Sequence, residues 1–186
     1  MRSTFREVAL RTGQILLALT LSACGDSEPL ASSSSSRPAV QGDVAATVAP
    51  ERFVEVPKSP VTEATRTTDD CNLDAVDGHG NFAGGLSRER TVVLAGWMVD
   101  ARSTAVPGKI ELVLEGPKTF VADGTTGSRR PDIARAKGLK VFETSGYATT
   151  VDLKAVAPGR YRVVVLGFTG TETLACDTRK TISVVE

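Results

Sequence analysis

The chain of 186 residues has one histidine, His79, which excludes sites built from several imidazoles and makes a histidine-based catalytic network hard to build. Aromatic residues make up 5% of it, with a single tryptophan, so a core can consume nearly all of them and leave few rings for stacking on sugars. Neither sign of charge is in excess: 22 basic residues face 22 acidic ones, and no overall basic charge points to nucleic acid. No apolar run reaches the ~20 residues that a membrane-spanning helix requires. Cysteine occurs three times, as Cys24, Cys71 and Cys176. The length is that of one ordinary domain with extensions.

What is present begins with an address. Arg2, Arg6 and Arg11 make a basic start, and Ile15 to Leu21 is a short apolar run of signal-peptide type, followed by Ser22-Ala23-Cys24. Leu21-Ser22-Ala23-Cys24 resembles the lipobox of bacterial lipoproteins, with Cys24 at the lipid-modified position. The resemblance implies cleavage after residue 23, a diacylglyceryl thioether on Cys24 and acylation of the new N-terminus. Cleavage would remove three arginines and one glutamate, leaving 19 basic and 21 acidic residues, so membrane attachment would rest on lipid. Two or three acyl chains exceed the threshold for stable anchoring. Gly25 follows the cysteine, and by resemblance to enterobacterial lipoproteins this favours delivery to the outer membrane.

From Cys24 to residue 70 the chain reads as a disordered tether. It holds the serine run Ser32–Ser36 together with Pro38, Pro50, Pro57 and Pro60, and has too little apolar content to offset the entropy of ordering. A flexible segment of this length spans roughly 35–40 Å. Arg52-Phe53-Val54-Glu55-Val56 alternates, and is the one stretch that could add to a sheet as an edge strand.

Residues 71–186 read as an all-β sandwich of about seven strands. Thr91–Val99 is apolar on both faces, as a central strand would be. Ile110, Leu112 and Leu114 share one face of the next strand, and Thr119–Ala122 is a short partner leading into Asp123-Gly124. Tyr147, Thr149, Val151 and Leu153 share a face, as do Tyr161, Val163 and Val165. Thr171–Cys176 and Lys180–Val185 close the domain. A helix between Ser128 and Gly138 is signalled by Pro131 and Asp132 in its first turn and glycine after its end, and would cross between the sheets. Pro158-Gly159 reads as a type II turn with positive φ at the glycine. Val156-Ala157-Pro158-Gly159-Arg160-Tyr161 resembles the tyrosine corner of immunoglobulin-like and fibronectin-like domains, in which the tyrosine hydroxyl bonds to upstream backbone. The wider series Gly96-Trp97, Arg130-Pro131-Asp132, Ser145-Gly146-Tyr147 and Pro158-Gly159-Arg160-Tyr161 resembles an Ig-like domain of bacterial envelope proteins.

With Cys24 assigned to lipid, Cys71 and Cys176 remain as an even pair in an oxidising compartment, and a structural disulfide is expected. No metal or cofactor is expected. Asp69, Asp70, Asp74, Asp77, His79 and Asn81 form an oxygen-rich cluster, but lack the regular calcium-loop spacing and read as a solvated loop. Ser87 has no Gly-x-Ser-x-Gly setting in which to pair with His79. Arg129, Arg130 and Asp132 are either a patch for an anionic ligand or partner, or a set of capping and surface ion pairs. Trp97, in an apolar strand, reads as core before binding platform. The expectation is a non-enzymatic envelope lipoprotein that contacts or assembles with a protein partner, with no nucleic acid involved. The alternative is a glycan or peptidoglycan binder, which needs exposed aromatics or the Arg129–Arg130 pair.

Overall fold

The computed structural model describes residues 49–80, 82, 84–170 and 172–186. The expected signal peptide, Cys24 and the tether up to residue 48 lie outside the described residues, as does Asn81. Among those described the chain forms β1 (Glu51–Arg52), β2 (Val54–Val56), β3 (Arg66–Thr67), β4 (Cys71–Val76), β5 (Gly85–Ser87) and β6 (Thr91–Met98). These are followed by β7 (Lys109–Glu115), β8 (Thr119–Ser128), α1 (Pro131–Lys137), β9 (Gly146–Asp152), β10 (Gly159–Thr169) and β11 (Glu172–Val185). Short 3-10 turns lie at Pro60–Glu63 and Lys140–Thr144.

The fold is all-β and sandwich-like, as its sequence pattern implies. One sheet runs β4-β6-β9, antiparallel, with β1 added parallel to β9. The other runs β11-β10-β7-β8, antiparallel, with β2 against β8 and with β3 and β5 parallel against β11. The two are joined through β8, whose Thr126 and Ser128 pair with Tyr147 and Gly146 of β9, so the hydrogen-bonded sheet curls around the core. That core takes Val92, Leu94 and Met98 from the first sheet, and Ile110, Leu112, Leu114, Tyr161, Val163 and Val165 from the second. Period-2 alternation puts these on the inner faces.

Several expectations need correction. The number of strands is as expected, with seven long ones, β4 and β6 to β11, but β1, β2, β3 and β5 add two- and three-residue edge pieces. Asp123-Gly124 does not end a strand: β8 continues through it, and a Cβ at Gly124 would lie 2.7 Å from the Thr149 hydroxyl. The last two expected strands are one, β11, interrupted by a bulge at Thr178-Arg179 with Arg179 at φ 58°. Gly159 is not in the left-handed region; it starts β10, where Pro117 approaches to 3.0 Å of a Cβ position.

The largest correction concerns the tether boundary. Residues 51–67 are not a tether but part of the sandwich. β1 and β2 bracket Phe53, which is 2% exposed within the main core, so the alternating stretch does add at the sheet edges. Beyond it, Val61 and Ala64 pack on Val113, Val164 and Leu166, apolar residues on the outer face of the second sheet. That face would otherwise stand in water, at roughly 25 cal/mol per Å² of apolar surface. The proline-rich composition of 57–64 conceals this, because few apolar side chains suffice to cover a face that β7 and β10 supply.

The helix forms as expected. Pro131 begins it and Gly138, at φ 70°, ends it by donating its amide to the Ala134 and Arg135 carbonyls. It connects β8 to β9, and Ile133 with Phe142 packs over Val99 and the half-buried Trp97. Trp97 thus lies on the outer face of the first sheet under the helical segment, outside the main core.

Candidate functional site

The disulfide joins Cys71, the first residue of β4, to Cys176 in β11, with Cα atoms 6.2 Å apart. It ties the first sheet to the second at an edge where no backbone ladder connects them.

The hydrogen bond expected of Tyr161 is made: its hydroxyl donates to the Ala157 carbonyl at 2.7 Å, with the side chain fully buried. A second tyrosine does similar work on the other sheet. Tyr147 donates to the Asn72 carbonyl at 3.0 Å, passing over Gly96, where any Cβ would lie 2.5 Å from its hydroxyl. Burial pushes the Tyr147 hydroxyl well above its usual range, which keeps it a donor.

Arg129, Arg130 and Asp132 are brought together with two further acids. Arg130 holds Asp132 through two bonds, at 2.9 and 2.7 Å, and reaches Asp74 of β4 at 2.5 Å. Arg129 pairs with Glu143. The Arg130 hydrogen bonds bring the Asp132 carboxyl down to about 2, and the Arg129 hydrogen bond lowers Glu143. Both guanidinium groups therefore already have carboxylate partners. The cluster, two guanidinium groups with three carboxylates, fastens the helical segment to β4.

The oxygen-rich cluster disperses in the same way. Asp69 pairs with Arg179, Asp70 with Lys137, Asp74 with Arg130 and Asp77 with Arg90. Asp77 also accepts the Val93 amide at 2.7 Å. Among the described residues no group of three or more His, Cys, Asp or Glu side chains is arranged to hold a metal. The His79 ring nitrogen Nδ1 lies 2.8 Å from the Asp77 carbonyl, and the Ser87 hydroxyl accepts the Glu89 amide, so the two are engaged separately. His79 instead lines a pocket of about 200 Å³ with Val76, Phe82, Leu86, Arg90 and Ile182.

One cluster escapes sequence reasoning. Asp100, fully buried, receives both Nη atoms of Arg66 at 3.1 and 2.6 Å, the Ser103 hydroxyl at 2.5 Å, and the backbone amides of Arg102 and Ser103. The Arg66 hydrogen bonds lead in holding its carboxyl at about 2. The arginine comes from the segment read as tether, 34 residues away, so no local spacing announces the pair. Arg66 also pairs with Glu172 at 2.8 Å, and the arrangement pins β3 to the loop after β6.

The aromatic rings are mostly internal. Phe142 and Tyr147 are buried and Trp97 is half covered, while Phe82 and Phe168 each lie near a lysine. Compared with protein-family models and with curated proteins, the chain matches none.

Proposed function

We propose that this protein is a bacterial envelope lipoprotein, cleaved before Cys24 and anchored by lipid on that residue, most simply in the outer membrane. In this reading the sandwich is a non-enzymatic module for contact or assembly with another envelope protein, and its Ig-like corner is a feature of stability. The observation that carries the proposal is Leu21-Ser22-Ala23-Cys24, placed directly after a basic start and a short apolar run. The ion pairs that join Arg129, Arg130 and Lys137 to Glu143, Asp132, Asp74 and Asp70 suit a rigid framework. The rings that a sugar platform would use are largely packed inward, which favours a protein over a glycan or peptidoglycan as the partner.

The test is radiolabelled palmitate incorporation combined with crosslinking in intact envelopes. Wild-type chain is expected to take label and to form an adduct with a protein. Cys24→Ala is expected to lose the label and to accumulate as precursor. Label retained by the variant would refute the anchor, and adducts with glycan alone would refute the protein partner.

A further inference from the structure

Arg135-Ala136-Lys137-Gly138-Leu139-Lys140-Val141 is a continuous run of exposed residues, holding three cations and no acid. It also contains two of the four large apolar side chains exposed among the described residues, Leu139 at 36% and Val141 at 48%. Lys137 is held by Asp70 and lies 6.0 Å from the centre of the Trp97 ring; Arg135 and Lys140 form no ion pair among the described residues, and Lys140 meets a carboxylate only through its charge effect on Glu143, which Arg129 holds. Buried Ile133 and Phe142 bracket the run and hold it to the sheet, so its exposed side chains are presented on a fixed base.

The position of this run in the fold indicates what it meets. It leads through the 3-10 turn Lys140–Thr144 into the start of β9 at Gly146. β1 runs parallel to β9 with Glu51 opposite Val151, and Ala49 lies beside Ala148, Thr149 and Thr150. The chain therefore enters the sandwich from the same end of β9, about 10 Å from Gly146 at ~3.3 Å per residue. Cys24 is only 25 residues before Ala49.

We infer that Arg135–Val141 docks the sandwich on the anionic phospholipid surface of the membrane that holds its anchor, with Arg135 and Lys140 on headgroup phosphates and Leu139 and Val141 in the interfacial layer. This rests on the lipid-anchor reading. Cations beside apolar side chains are the chemistry that such surfaces attract, and each cation is weak alone. The anchor supplies the second signal by keeping the run within reach of the surface.

The experiment uses full-length chain purified from the membranes of an expressing bacterium. It is reconstituted with vesicles of phosphatidylcholine alone, or with one quarter phosphatidylglycerol. Hydrogen exchange is then followed at the amides of 135–141, with core-strand amides as the control for folding. Exchange in this run is expected to slow about five-fold or more on the anionic vesicles only, the change that one cation's attraction supplies. The pairs Arg135→Gln with Lys140→Gln, and Leu139→Ser with Val141→Ser, should each abolish the slowing while core exchange stays unchanged. Equal exchange on the two vesicle types, or slowing that survives both pairs, overturns the docking. Flotation separates the two readings. Protein that floats with anionic vesicles only, by way of these four side chains, removes the anchor and keeps the docking; protein that floats with neither removes both.

Discussion

Tyr161 and Asp100 show how single side chains hold this sandwich without chemistry of their own. Tyr161→Phe keeps the buried ring and deletes the bond to Ala157, leaving that carbonyl without its partner. Urea unfolding is expected to show a loss of ~1–3 kcal/mol, with partner binding changed only as far as stability changes. A neutral effect on unfolding with damaged binding would place the residue on a binding surface. Asp100 has its folded pKa held at about 2, below the ordinary carboxylate value of 3.8. As pH falls, the unfolded chain takes up this proton first. The contribution is therefore complete above about pH 4 and is lost as pH falls toward 2. Asp100→Asn is expected to lower the midpoint of urea unfolding at pH 7 and to flatten the acid limb between pH 4 and 2. An acid limb identical to wild type would show that other carboxylates, such as Asp132, carry it.

At the scale of elements, residues 51–67 decide how the sandwich is closed. β1 and β2 are too short to stand alone, and their place depends on Phe53 between them. Phe53→Ala should cost ~3–5 kcal/mol in denaturant unfolding, since a fully buried ring is removed from between two sheets. Faster proteolysis near residue 53 should accompany it, because the backbone pairs there are few. A cost below 1 kcal/mol would mean that the strand pairing holds the segment without its side chain.

For the whole molecule, the Cys71–Cys176 bond spans a sequence separation of 105. Loop entropy alone makes such a crosslink worth roughly 4–5 kcal/mol. Reduction of the native chain should therefore lower its melting temperature clearly, with two thiols appearing on titration. An unchanged melting temperature would show that the ladder through β8 and the shared core hold the sheets together unaided.

Much of this architecture is legible in sequence. Alternation in β7, β9 and β10 sorts inner from outer side chains, and proline and glycine bound α1, because these are local rules of backbone and burial. The Cys71–Cys176 pair and the Tyr161 hydrogen bond were expected instead from resemblances, to a lipobox that takes Cys24 and to a tyrosine corner. For Arg129, Arg130 and Asp132 the sequence left two roles open, a patch for an anionic ligand and a set of capping and surface ion pairs, and the structure places all three in ion pairs. Whether an arginine is free or paired depends on Asp74 and Glu143, which the fold brings from elsewhere.

By itself, then, the sequence determined the all-β class, the inward faces of the long strands and the helix between the sheets. These follow from periodicity and turn chemistry, which act over a few residues. Only the tertiary structure decided that 51–67 belongs to the sandwich, that Asp100 is neutralised by Arg66, and that Trp97 is covered by α1. Each of those depends on which surfaces meet across long separations. An outer face such as that of Val164 and Leu166 declares itself apolar in sequence, but what covers it is settled by the chain that happens to pass over it.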